Sequence, residues 1–283
     1  MPQEKVPELS SEMFKVMRDL ICEISGISYP DNKKYLLENR IAERLKACNL
    51  KSYDEYYYLL KHDPSNLTEL SAFFDAITTN ETSFFRNPLQ IVGFEKIVLP
   101  EILAEKNKKG SRNIKIWSAG CSTGEEPYTL AMIVAEILKG IAESWDVNVL
   151  ATDISKSVLK FADKAVYNSH AFRNTPDKYK TKYFSNNGIC YTVKDEIKKI
   201  VTKKYLNLAD QVSMKMIKGM DTIFCRNVLI YFDDDFKKRV LSHFYESLRP
   251  GGYLFVGHSE SLHRITKAFK VIHFKGALAY KKE

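Results

Sequence analysis

The sequence predicts an all-helical domain over residues 1–87, followed by an α/β domain over residues 88–283 with a mostly parallel sheet. Three observations predict it. Apolar residues repeat at helical spacing up to about residue 87; beyond it, short apolar runs alternate with helical stretches, as in chained strand–helix units. A glycine-containing turn follows the first of those runs, where sheets of this kind bind ligands. The length, with 45% hydrophobic and 28% charged residues, suits two modest globular domains.

In the first domain Ser10 and Ser11 open a helix that ends near Gly26, and Asp31 can cap a second that ends near Asn49. Ser52 with Glu55 forms a capping box, in which serine and glutamate each serve an orphan N–H. Asn66 with Glu69 repeats the device after Pro64, and Asn87-Pro88 opens a further helix with proline at its tolerated first position. The α/β pattern then begins. Strands are expected at Ile114–Ala119, Val147–Ala151, Lys198–Tyr205, Asp221–Cys225 and Tyr253–Gly257, with two more at Lys270–Phe274 and Ala277–Tyr280. Helices are expected at Glu126–Lys139, Ser155–Ala165 and Asp233–Leu248, with Arg249–Gly252 as the turn into the next strand. The stretch near 167–196, rich in Tyr, Lys and Asn, breaks the alternation and reads as an insertion of short strands.

Several classes are excluded early. No apolar run approaches the ~18 residues of a membrane span. The N-terminus lacks a basic-then-apolar leader, so a cytoplasmic location is expected. Five scattered cysteines without a CxxC pair, and six histidines without ligand spacing, argue against disulfides and structural zinc. Through Arg86 the chain carries 11 Lys+Arg against 14 Asp+Glu, a net of −3, and the remainder carries +11. Basic surfaces attract nucleic acid, anionic membranes or acidic proteins. A solvated lysine-rich surface explains the same charge.

The strongest local feature is Trp117–Pro127, WSAGCSTGEEP. Its glycines let the backbone approach a ligand closely. No Gly-Lys-Ser/Thr follows, and the dinucleotide GxGxxG is missing. Glu125 and Glu126 at a helix N-terminus would repel phosphate and suit an ammonium; an acid-favoured first helical turn accounts for them equally well. Asp153 ends the next strand, where an acid commonly takes ribose hydroxyls. Together these features describe a nucleoside with a positive centre and no pyrophosphate, which S-adenosylmethionine fits.

Four blocks resemble the CheR family, the chemotaxis receptor glutamate O-methyltransferases: Thr78–Arg86 (TTNETSFFR), Trp117–Tyr128, Cys225–Phe232 (CRNVLIYF) and Gly257–Glu260 (GHSE). The resemblance spans nearly the whole chain and implies a Rossmann-like class I S-adenosylmethionine methyltransferase domain with a small antiparallel β insertion. It also implies roles. Asn80, Thr82 and Arg86 would close over the cofactor from the domain joint. Glu126 would hold the methionine ammonium and Asp153 the ribose. Asn207 and Leu208 would flank the adenine, with Asn227 and Val228 beside the methyl group. Arg86 and Tyr231 would face the transfer. Core packing is the preferred reading for Phe84, Phe85 and Phe232, and small buried filling for Cys121 and Cys225.

The implied reaction converts S-adenosyl-L-methionine to S-adenosyl-L-homocysteine and esterifies glutamates on the cytoplasmic helices of chemoreceptors. A glutamate is ionised at neutral pH and needs no general base. Lys33, Arg40 and Arg44 lie on one helical stripe beside Leu37, Ile41 and Leu45. In the family a basic helix of this domain meets the receptor, so these residues are expected to dock it, although a solvated charged face is the plainer account. Nucleic acid is not an expected partner: no Pro-Cys pair and no Asn/Asp-Pro-Pro-Tyr/Phe motif is present. A nucleic-acid or small-molecule methyltransferase, or a non-catalytic cofactor-binding module, are the competing functions; the presence of Arg86, Asn227 and Tyr231 argues for activity. Some family members tether to a receptor C-terminal peptide through the β insertion. Here the stretch between Phe184 and Tyr191 holds only a short turn on Asn186-Asn187-Gly188, so a tail peptide is not expected to be required.

Overall fold

The computed structural model describes residues 8–63, 67–141 and 144–283. The proposed cap at Asn66 lies outside them. Among its described residues the N-terminal domain has four α-helices: α1 (Ser11–Ser25), α2 (Lys34–Ala47), α3 (Tyr53–His62) and α4 (Leu67–Ile77), with a 3-10 turn at Asp31–Lys33 before α2. Ser10 Oγ caps α1 and Ser52 Oγ caps α3, while Gly26 closes α1 in the left-handed region. Leu37, Ile41 and Leu45 turn one face of α2 inward, against Tyr56, Phe73 and Phe74.

The chain then runs through α5 (Pro88–Gly93), a π turn at Phe94–Val98 and α6 (Leu99–Lys108). There follow β1 (Asn113–Ala119), α7 (Glu125–Ile137), β2 (Asp146–Asp153), α8 (Lys156–Lys164), β3 (Val166–Tyr167), α9 (Asp177–Tyr183), β4 (Phe184–Asn186), β5 (Tyr191–Val193) and α10 (Asp195–Lys198). The last part holds β6 (Val201–Tyr205), α11 (Gln211–Lys215), β7 (Met220–Cys225), α12 (Asp234–Ser247), β8 (Leu248–Val256), β9 (Lys270–Phe274) and β10 (Ala277–Lys281). The main sheet has the order β6-β2-β1-β7-β8-β10-β9. It is parallel through β8, and β10 is antiparallel to both neighbours. The order reverses at β1, between β2 and β7, so the cleft beyond its carboxyl end is the natural ligand position. One face of the sheet packs Phe94 against Phe224 and Phe255; the other packs Trp117 against Phe244.

Three boundaries differ from expectation. The strand expected at Lys198 starts at Val201, because Asp195–Lys198 winds into a helical turn first. Residues 249–252 are not a free turn: they bulge within β8, and the backbones of Gly251 and Gly252 exchange hydrogen bonds with Lys282. The chain's own end thus supplies partners that a local reading cannot see. Finally, Phe84 and Phe85, placed by sequence in the helical domain, pack into the core of the α/β domain, so the joint begins after Ile77.

The insertion is a separate sheet of order β3-β5-β4. The β4–β5 connection is Asn187–Cys190, longer than the two-residue turn that Asn-Gly suggests. Asn187 Oδ1 accepts from the N–H groups of Ile189 and Cys190 and closes it. Among the described residues no helix is long and apolar enough to cross a membrane.

Candidate active site

A cavity lies between the two domains at the carboxyl ends of β1, β2, β6 and β7. Asn80, Thr82, Arg86, Glu126, Asp153, Asn207, Leu208, Asn227, Val228 and Tyr231 all line it, although they come from five separate segments.

Its floor is the β1–α7 turn. The N–H groups of Gly120 and Cys121 both donate to the Thr152 carbonyl, at 2.8 and 2.9 Å, which folds the turn onto β2. Gly120 has φ +74, and a Cβ there would lie 2.5 Å from Val228 Cγ2. Only glycine allows the two loops to close so tightly. Asp153 accepts from Ser122 N at 2.8 Å and Ser155 N at 2.9 Å. Burial raises its carboxyl above the usual range, while the N–H groups of Ser155, Ser122 and Ile154 pull it down.

The two acids of the turn diverge. Glu126 faces the cavity, held by Ser118 Oγ at 2.7 Å and by Arg226 Nε at 2.7 Å. Glu125 lies outside the cavity lining and accepts from Thr123 Oγ1 at 2.6 Å. Of the two, only Glu126 can meet a ligand in the cavity.

The linker after Ile77 forms one wall. Ser122 Oγ donates to the Asn80 carbonyl at 2.8 Å, and Arg86 Nη1 to the Glu81 carbonyl at 2.9 Å. Phe84 anchors this segment in a box of Tyr167, Phe172 and Phe184, each ring centroid within 5.0 Å of its own. The β insertion therefore seats the linker.

The opposite wall is the loop after β7. Asn227 sits at φ +60, and Glu260 holds the loop by accepting from the N–H groups of Asn227, Ile230 and Gly257. The Tyr231 carbonyl accepts from Ser28 N at 2.7 Å, and Ile27 bridges Phe232, so the N-terminal domain clasps this loop directly. Asn207 spends its side chain structurally: Nδ2 donates to the Ile24 carbonyl at 2.6 Å, and Oδ1 accepts from Ala209 N at 2.9 Å. Cys121 and Cys225 are buried, with thiols pushed well above the usual range by burial, as fits small core fillers.

The expected docking stripe divides. Lys33 is exposed. Arg40 turns into the joint, donating to the Ile77 carbonyl, to Tyr29 Oη at 3.0 Å and to Thr79 Oγ1 at 2.9 Å, and it lines the cavity. Arg44 makes a two-pronged pair with the buried Glu69, with Nε to Oε1 at 2.9 Å. Helical spacing put all three on one stripe; partners on α4 and the linker claim two of them. Sequence reasoning also gave no role to Arg226 or Glu260, although both stand inside quoted blocks. For Arg226 the signal was a charged residue directly after a buried strand.

The cavity suits S-adenosylmethionine on chemical grounds. It offers carboxylates to an ammonium and to ribose hydroxyls, a glycine floor, and a buried Asn227 Oδ1 with no hydrogen-bond partner. Such an orphan acceptor is costly unless a ligand donor meets it. This fold and site define an S-adenosylmethionine-dependent methyltransferase. Residues 80–277 match the family model described as CheR methyltransferase, SAM binding domain, and residues 12–78 match CheR methyltransferase, all-alpha domain. Chemotaxis protein methyltransferase 2 of Vibrio cholerae is 35% identical over 95% of this chain and 92% of its own length. The chemotaxis protein methyltransferase of Borreliella burgdorferi is 37% identical over 84% of this chain and 83% of its own. That of Escherichia coli is 33% identical over 92% of this chain and 88% of its own. The chain belongs to the CheR methyltransferase family.

Proposed function

We propose that this protein transfers the methyl group of S-adenosylmethionine to glutamate side chains on the cytoplasmic helices of chemoreceptors, forming methyl esters. The relatives' names support the chemotaxis setting, and one observation on the cavity supports the acceptor. Where the linker meets the β7 loop, the lining is Arg86, Asn227 and Tyr231, and among the described residues no histidine lines the cavity. An amine or hydroxyl acceptor has to lose a proton, whereas a carboxylate is already ionised at neutral pH.

The cofactor supplies an electrophilic methyl on a sulfonium. The protein's residues bind, orient and exclude water. Glu126 takes the ammonium, Asp153 the ribose, and the Asn207–Leu208 segment the adenine, through its backbone and Leu208. Asn80 and Thr82 close the linker side. Charge is lost as carboxylate and sulfonium become ester and thioether, so water favours the reactants over the transition state. Clasping the domains around the cavity removes that water and holds the groups in line. Arg86 and Tyr231 orient the carboxylate; a tight ion pair to it would stabilise the ground state instead. Lys33, exposed at the rim, meets the acidic receptor helix. The reaction runs in the cytoplasm and needs no receptor tail peptide.

The test is a methylation assay with radiolabelled cofactor on receptor cytoplasmic fragments, tailed and tailless, with RNA as control. Label should enter both fragments at equal rates, stay off RNA, and leave as methanol in base. Base-stable label would exclude a carboxyl ester. Micromolar binding of a tail peptide at the insertion would overturn the tail-independent reading.

A further inference from the structure

Arg226 enters the site from the end of β7 with its side chain only 2% exposed. Its Nε donates to Glu126 Oε2 at 2.7 Å, and its Nη1 donates to the Arg86 carbonyl at 2.7 Å and to Gln90 Oε1 at 3.4 Å. One guanidinium thus joins the start of α7, the end of the linker and α5. Ser118 Oγ holds the other Glu126 oxygen at 2.7 Å, so the carboxylate cannot rotate. Each of its oxygens keeps a second lone pair, enough to accept an ammonium.

We propose that Arg226 is a positioning residue for the amino-acid end of the cofactor. It fixes the Glu126 carboxylate and, through the Arg86 carbonyl, ties it to the segment that faces methyl transfer. The proposal rests on the ammonium-binding role of Glu126. A planar guanidinium serves acceptors on two edges at once, whereas a lysine ammonium is a point charge that can reach one. The pairing also offsets the cost of burying the Glu126 charge, which a neutral partner would leave uncompensated.

Calorimetry on the full chain decides the matter with two ligands. S-adenosylhomocysteine carries the amino-acid group; 5′-methylthioadenosine shares the nucleoside and thioether and lacks it. Arg226→Lys should weaken S-adenosylhomocysteine about tenfold, the scale of one charge-assisted hydrogen bond, and leave methylthioadenosine unchanged. Methylthioadenosine binding also reports that the variant is folded, and Arg226→Gln, which keeps a planar donor, takes its place if lysine prevents folding. Glu126→Gln should show the same selectivity, and the double variant should lose little more than either single one. Equal weakening of both ligands would make Arg226 merely structural, and full retention of S-adenosylhomocysteine affinity would remove its role. If Glu126→Gln binds both ligands like the wild type, the Glu126 assignment itself falls and the proposal with it.

Discussion

At the scale of single residues, partners set apart two neighbouring buried acids that the sequence presents as equivalent: Glu126 meets Arg226, and Glu125 meets Thr123. Glu125 is 5% exposed. Desolvation raises its carboxyl above the usual range, against the pull of Thr123, its own helix backbone and the charge of Arg173. An acid whose folded pKa is raised contributes stability below its unfolded pKa and loses that contribution as pH rises through the folded value. At neutral pH, above the unfolded value, Glu125 therefore costs stability. Glu125→Gln should raise the melting temperature at neutral pH, with the gain shrinking in acid, and should leave S-adenosylhomocysteine affinity unchanged. Thermal melts at two pH values and one titration check both halves; a loss of affinity would put Glu125 back in the site. Asn207 teaches a related lesson. Its place in the site was implied by the family resemblance, but not that its side chain is spent on the Ile24 carbonyl.

At the scale of elements, strand–helix alternation was readable because burial imposes its own periodicity on each element. The contact between the β1–α7 turn and the β7 loop was not, since Gly120 and Val228 are far apart in the chain. Gly120→Ala would place a methyl group 2.5 Å from Val228 Cγ2 at a φ of +74. The left-handed backbone alone costs about 1 kcal/mol, and the clash must displace the β7 loop. Cofactor affinity should fall by about tenfold or more, since each 1.4 kcal/mol is a factor of ten. Adding Val228→Ala should recover part of the loss in the same titration. No recovery would mean that backbone strain, not loop contact, dominates. The β insertion belongs at this scale too. Its short strands were expected from composition; the aromatic box it builds around Phe84, which seats the linker, depends on rings from four segments.

For the whole molecule, the two domains are pinned at several points around the cavity. Ser28 meets Tyr231, Ile24 meets Asn207, and Asp75 on α4 accepts from Ser155 Oγ at 2.6 Å and Ser157 N at 3.2 Å at the start of α8. Receptor docking must be tested against this background. Arg44 pairs with Glu69, which Tyr56 Oη also contacts at 2.6 Å. Arg44→Glu should therefore destabilise the helical domain by about 3 kcal/mol, as removing one partner of a largely buried pair does. Lys33→Glu alters an exposed charge. It should slow methylation of receptor fragments at low salt and leave melting temperature and cofactor affinity alone, the defect fading as salt screens exposed charges over about 10 Å at 0.1 M. Rates, melts and titrations on both variants separate the cases; unchanged methylation by Lys33→Glu would remove it from the docking surface.

Sequence by itself determined the two-domain plan, the strand–helix order, the glycine turn and, through the family resemblance, ten of the residues that line the cavity. These follow from local periodicity, from backbone positions that need glycine, and from motifs carried in contiguous blocks. Tertiary structure alone decided which acid of the Glu125-Glu126 pair faces the cavity, that Arg226 locks it, that Arg40 and Arg44 serve the fold, and that the linker belongs to the α/β core. Each of those outcomes depends on a partner far away in the chain: Arg226 for Glu126, Ile77 for Arg40, Glu69 for Arg44, and the insertion's aromatic rings for Phe84. Hydrogen bonds and burial act across space, and local sequence patterns carry no record of which distant group will arrive.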